Sequence, residues 1–365
     1  MGRQKPCELL NGGVNIQTIF SKGYQMKHTL LAAALVLPIG FEALAQDVGL
    51  VERTIPVPHH SQDMEMSVMF PATGQDAIMF ADSAVFYGTP VLKDAMPLAG
   101  QHPVVLMSHG WGGNYARMAW LSAALAERGA IVVAVNHPNS TTFDLDLDEA
   151  FNHWTRAEDL SAALDSVLQD TTFAPLIDET RIYAAGFSYG GWTALSLGGV
   201  RANRDGLFSY CEAAGPQSQF CAELTKSAHD PASIDELKYN ASYKDARVSR
   251  VAAIDPGLTW ELTSEDVADL DAPLLLIGLG EGDDRLAATD TSARGSNFEA
   301  LVPQASVQDI APAMHFTALG VCKPAGKDIL LEEKDDPVCT DPEGTDRAQV
   351  LAKIIDSVAD HFDLN

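Results

Sequence analysis

Five short stretches of this chain carry residue types and spacings that suit acyl-transfer chemistry. Gly186-Phe187-Ser188-Tyr189-Gly190 sets one serine between two glycines at the end of an apolar run and the start of a helical pattern. On such a strand-to-helix turn the serine is held in an unfavourable backbone region, and side chains at 186 and 190 would clash with neighbouring chain. A serine hydroxyl is a weak nucleophile at neutral pH, so a base must take its proton. Of ten histidines, His315 in "APAMHFTAL" follows the last strand signal and precedes the final helix, where the order serine, acid, histidine puts the base. His59, His60 and His102 precede the serine, and His361 lies inside the last helix. For the orienting acid, Asp283 in "GLGEGDD" is favoured, with Asp255 in "AAIDPG" as the alternative and Asp284 a weaker neighbour. Developing negative charge needs backbone N–H donors, expected from Tyr189 and from Trp111 in "SHGWGGN", where Gly110, Gly112 and Gly113 allow close approach. His109 reads as part of that turn.

The elements that must position these residues alternate. "PVVLMSHG", "AIVVAVNHP", "RIYAAGFS", "VSRVAAID" and "PLLLIGLG" are continuous apolar runs, the pattern of parallel strands covered on both faces. Helical patterns lie between them at 115–129, at 156–170 and from Gly190, and a last one spans 346–362. "VERTIPVP" and "MEMSVMFPA" read as early antiparallel strands, 72–101 as an edge excursion, and 306–316 as the end of a strand. Strand and helix in alternation predict one doubly wound α/β sheet of about eight strands, mostly parallel and flanked by helices. A polar segment, 201–247, interrupts the alternation after the nucleophile helix as a cap or a surface elaboration. No internal repeat or low-complexity tract is evident.

The chain has 365 residues and a formal net charge of −26, which disfavours nucleic acid and anionic lipid as partners. Met26-Lys27-His28 followed by an apolar run and Ala43-Leu44-Ala45 reads as an export signal over 26–45, too short for a membrane span. Residues 1–25 read as an over-called start, leaving 46–365 as a single domain that is secreted or periplasmic. Beyond Cys7, the cysteines form two local couples, Cys211 with Cys221 and Cys322 with Cys339, expected as disulfides in an exported chain. No metal or cofactor is expected. Trp111, Tyr189 and Trp192 form an aromatic group near the serine, more in keeping with packing than with an acyl-binding wall. The acidic stretch 143–154 lacks the ligand spacing of a calcium loop, while His153 and Trp154 are candidates for the substrate entrance.

The order H-G-x-G-G, N-H-P, G-F-S-x-G-G and A-x-H-F, from about residue 50 to the C-terminus, resembles the α/β-hydrolase family of dienelactone hydrolases and platelet-activating-factor acetylhydrolase-like esterases. Ser188 stands where dienelactone hydrolases proper carry a cysteine. By resemblance to the acetylhydrolases the acid is Asp255, and by resemblance to polyester hydrolases and cutinase-like lipases it is Asp283. The residues and the resemblance together imply a serine hydrolase of small-molecule esters, short-chain or lipid-like, needing no cofactor. Polyester or lipase-like activity, amide hydrolysis by the same residues, and an inactive binding protein of this fold are the alternatives. Oligomeric state is left open.

Overall fold

The apolar runs pair into a ten-stranded sheet in the order β12-β11-β10-β9-β5-β6-β2-β1-β4-β3 among the described residues. The strands are β1 (Asp47–Ile55), β2 (Met64–Ala72), β3 (Ile78–Phe80), β4 (Thr89–Lys93), β5 (His102–Ser108), β6 (Ile131–Val135), β9 (Ile177–Phe187), β10 (Val248–Ile254), β11 (Leu274–Leu279) and β12 (Ser306–Ile310). β7 (Ser140–Thr141) and β8 (Asp144–Leu145) form a separate small hairpin. This computed structural model describes residues 47–364, apart from positions 94, 216, 217, 219, 220, 223 and 225–233. The expected leader over 1–45 lies outside the described residues.

From β12 to β6 all neighbouring strands are parallel, and β2 and β1 add antiparallel strands beyond β6. The sheet has two more strands than the sequence pattern suggested. They are β3 and β4, from the edge excursion 72–101, and β4 pairs parallel to β1 across a register of only two residues. So short a strand, with Pro90 inside it, carries almost no periodic signal.

Successive side chains of a strand point to opposite faces, so a strand covered on both sides must be apolar throughout. In β5, Val104 and Leu106 enter the core beneath α3 (His153–Gln169) and α4 (Tyr189–Gly198), while Val105 and Met107 enter the core beneath α1 (Ala119–Glu127) and α9 (Arg347–His361). The last helix buries Val350, Leu351, Ile354 and Val358, as its helical spacing predicts, and leaves Lys353, Asp356 and Asp360 exposed, while Arg347 at its start is buried against Asp341. The insert 201–247 contributes α5 (Arg204–Ala214) and α6 (Glu236–Tyr239), with α5 tied down by the Cys211–Cys221 disulfide. The second bridge joins Cys322 to Cys339 and closes the segment containing α8 (Gly326–Glu333). Both are the pairings expected from sequence proximity. Among the described residues no helix is long and apolar enough to cross a membrane.

Candidate active site

Ser188 sits between β9 and α4 with φ 58° and ψ −119°, a conformation costing about 1–3 kcal/mol for a residue with a side chain. The surrounding packing enforces it. A Cβ on Gly186 would lie 2.2 Å from the Gly190 carbonyl oxygen, and one on Gly190 would lie 2.1 Å from that of Ser108. Only glycine lets the two arms of the turn pass so close to each other and to the end of β5. The Ser188 N–H donates to Ile254 at 2.8 Å, fixing the turn against β10.

β10 lies between β9 and β11, so the residue after Ile254 emerges beside Ser188. That residue is Asp255. Its carboxylate is fully buried and takes three donors: His315 Nδ1 at 2.5 Å and the Thr289 hydroxyl at 2.8 Å on Oδ2, and the Leu279 N–H at 3.0 Å on Oδ1. With its Nδ1 proton on Asp255, His315 presents Nε2 as an acceptor to Ser188 Oγ at 3.0 Å. The arrangement is a hydrogen-bonded line able to draw a proton from the serine and to steady the imidazolium that results.

The sequence preference for Asp283 is therefore corrected. Asp283 lies on the short 3-10 turn Gly282–Asp284, is exposed, and makes no bond to His315. The chain leaves β11 and turns outward before reaching it, whereas Asp255 lies at the end of the strand directly beside the nucleophile strand. Asp284 shares the exposed turn.

The loop after β5 passes behind the serine. A Cβ on Gly110 would be 3.2 Å from that of Ser188, and the loop closes with a Gly113 N–H to Gly110 carbonyl bond of 3.1 Å. Trp111 follows Gly110 on this loop and Tyr189 opens α4, and both residues line, with Ser188, a cavity of about 740 Å³. Two apolar groups line it. One contains Leu207 and Tyr210 of the insert with Leu258 and Trp260, the rings of Tyr210 and Trp260 stacked at 4.5 Å. The other contains Phe86, Leu330 and Val338, the last two from the segment closed by the Cys322–Cys339 bridge. Trp111 and Tyr189 also line the cavity, their rings 5.4 Å apart. Trp192 does not; it is wholly buried and donates to His153 Nδ1 at 3.2 Å.

His153 and Trp154 are likewise buried rather than placed at an entrance. His153 Nε2–H donates to the Tyr239 carbonyl at 2.8 Å, and burial holds this histidine down at about 4. Both residues begin α3; His153 packs against Trp192 of α4 and Tyr239 of α6, and Trp154 against Tyr239. Within the acidic stretch before them Asp146 caps α2 (Leu147–Ala150), and Asp144 accepts from Gln62 and the Asn139 N–H, which are turn and loop roles.

Beneath the loop lies a polar network that the sequence reading did not assemble. His109 Nδ1 donates to the Gly110 carbonyl at 2.7 Å, and its Nε2 accepts the His137 N–H at 3.2 Å. Burial, then the charge of Arg156, holds His109 well below the ordinary histidine range, so it is neutral in the turn. Arg156, also buried, donates to the His109 carbonyl, to Ser140 at 2.8 Å and to Thr193 at 3.1 Å, and stands 4.5 Å above the Tyr189 ring. Asp159, one helical turn on, is fully buried and accepts His137 Nδ1 at 2.8 Å, while His137 Nε2 accepts the Ser108 hydroxyl at 2.9 Å. The visible signals were the N-H-P after β6 and the Arg156/Asp159 spacing on one helix face. Nothing local linked them.

No family model matches the chain. Cutinase 2 of Thermobifida cellulosilytica is 33% identical over 99 residues, 27% of this chain and 34% of that protein. Lipase 1 of Moraxella sp. (strain TA144) is 32% identical over 136 residues, 35% of this chain and 38% of that protein. The chain thus spans little more than a third of the length of these curated relatives. A solved structure of a ferulic acid esterase from Streptomyces cinnamoneus superposes with a TM-score of 0.56 at 18% identity, covering 87% of this chain and 89% of that one. At that identity the likeness speaks for the fold, and the chain has the α/β-hydrolase fold.

Proposed function

We propose that the protein is an exported serine hydrolase of carboxylic esters that works through an acyl-enzyme. The observation that carries this reading is the line from Ser188 Oγ through His315 to Asp255, ending in an apolar cavity at a strained turn. In the proposed reaction His315 Nε2 takes the Ser188 proton as Oγ attacks the ester carbonyl. The backbone N–H groups of Trp111 and Tyr189 stabilise the oxyanion, and Asp255 keeps the Nδ1 proton in place. His315 then protonates the leaving alkoxide, and water, activated by the same imidazole, releases the acid. The apolar lining favours esters with an uncharged aliphatic or aromatic acyl group, and the cutinase and lipase relatives agree with an ester substrate. Export accords with two disulfides in an acidic chain.

A fluorophosphonate probe and a p-nitrophenyl ester series of increasing acyl length test the reading together. One equivalent of label, lost in Ser188→Ala along with ester hydrolysis, is the expected result. A wild-type protein that is folded yet neither labelled nor active on any ester in the series would refute it.

A further inference from the structure

Away from the serine, on the far side of the Asp159 network, two consecutive histidines turn toward the same carboxylate oxygen. His59 Nε2 is 2.7 Å and His60 Nε2 is 2.9 Å from Asp159 Oδ1. The three donor atoms all lie within 4.8 Å of one another, and the imidazole rings are 4.5 Å apart and tilted by 52°. Asp159 is fully shielded and His60 nearly so, while the His59 side chain keeps 19% of its surface in solvent.

We propose that His59, His60 and Asp159 form a binding site for a divalent transition metal ion, with Zn²⁺ the best match. Two imidazole nitrogens and one carboxylate oxygen are a donor set suited to zinc, which takes three protein ligands and a solvent molecule in its open sites. The solvent-facing edge of His59 provides the route for the ion and the position for that molecule.

Three further features of the chain fit the ion. Zn–N and Zn–O bonds of about 2.0–2.2 Å in a tetrahedron require ligand atoms roughly 3.3 Å apart, so each histidine nitrogen needs to withdraw from Asp159 Oδ1 by about half an ångström, and the two nitrogens, within 4.8 Å of each other, have at most about 1.5 Å to close. They lie on the turn between β1 and β2, where the His60 N–H donates to the Val57 carbonyl at 3.2 Å and the Gln62 side chain donates to Asp144 at 2.6 Å, and a shift of this size needs only side-chain rotation. Asp159 cannot move and has no need to. It is anchored in α3, and its second oxygen accepts the His137 Nδ1 proton, the outer contact that orients a ligating carboxylate. The four cysteines of the described residues are locked in disulfides and offer no competing thiolate set. A chain of net charge −26 also draws cations to its surface. An ion here would pin the β1–β2 turn to α3 and tighten the line from Asp159 through His137 to Ser108. The site is independent of the esterase reading.

The test uses the full chain, stripped with EDTA and titrated with ZnCl₂ at pH 7.5 by calorimetry, with thermal unfolding followed in parallel. One Zn²⁺ per chain and a melting temperature that rises with added zinc are expected. His59→Ala, a change on a surface turn, should abolish the melting shift and weaken binding by more than the 10–100-fold typical of losing an outer contact. His60→Ala should do the same. His137→Gln should weaken binding by that 10–100-fold while keeping one site. The proposal is overturned by a folded wild type that binds no zinc at millimolar concentration, or by binding that both histidine variants retain undiminished.

Discussion

Asp255→Asn is the sharpest test of the site, because the structure dictates how an amide must sit there. Asp255 accepts from Leu279 N–H on one oxygen and from His315 and Thr289 on the other, and its side chain is fully buried. An asparagine has one carbonyl and one NH₂ to offer these three donors. If its carbonyl faces His315, the NH₂ meets the Leu279 N–H, leaving a buried donor unpaired at a cost of about 1–3 kcal/mol. If it turns over, the carbonyl satisfies Leu279, the Thr289 hydroxyl rotates to accept, and the NH₂ donates to His315 Nδ1. Every group is then paired, so this orientation wins. Its consequence is the wrong tautomer: the proton moves to Nε2 and points at Ser188 Oγ, 3.0 Å away, where an acceptor is required. Loss of the correct tautomer in a triad costs on the order of 10⁴-fold in turnover, or about 5.4 kcal/mol of transition-state stabilisation. Asp283→Asn, on an exposed turn, should leave turnover within about twofold. The assay is hydrolysis of p-nitrophenyl butyrate by both variants and wild type, with circular dichroism to establish equal folding. An Asp255→Asn enzyme within tenfold of wild type, or an Asp283→Asn enzyme that is folded and falls by two orders of magnitude, would refute the reasoning.

Two other predictions concern stability. His153 is held at about 4 by burial, with Nδ1 accepting from Trp192 and Nε2–H donating to Tyr239, while in the unfolded chain it titrates near 6.5. Between these values the unfolded state binds the extra proton, so stability falls as pH drops from about 6.5 to 4, by roughly 1.4 kcal/mol per pH unit. Gln at 153 can supply the same donor and acceptor without titrating, so urea unfolding of His153→Gln at pH 5 and 6.5 should show a shallower loss than wild type; equal slopes would remove His153 as the cause. Replacing both Cys322 and Cys339 by serine frees a loop with a sequence separation of 17 and should cost about 3 kcal/mol on the loop-entropy view. Because Leu330 and Val338 of that loop line the cavity, KM for long acyl esters should rise more than for acetate, as steady-state kinetics on the two substrates will show.

Much of the site was legible in the chain because its chemistry is local. The turn around Ser188 is written in Gly186 and Gly190, whose contacts with Gly190 and Ser108 carbonyls leave no room for a side chain. His315 was singled out by chain order, and the structure brings it to the serine. The two disulfides join cysteines close in sequence, where loop closure is least costly. The parallel core was legible too, since a strand buried on both faces must be apolar at every position.

What only the tertiary structure decided are distances between strand ends and between separate segments. Asp255 and Asp283 both follow apolar strands, and nothing local distinguishes them; the difference is that β10 abuts β9 while the chain beyond β11 turns into solvent. His59 and His60, His137, Arg156 and Asp159 come from a turn, a strand end and a helix, each unremarkable alone. They meet because α3 crosses the sheet beneath β5 and β6, and a buried carboxylate must gather donors from whatever passes within reach. Periodicity encodes which face a side chain takes. Which distant side chain it meets on that face is set by strand order and helix placement.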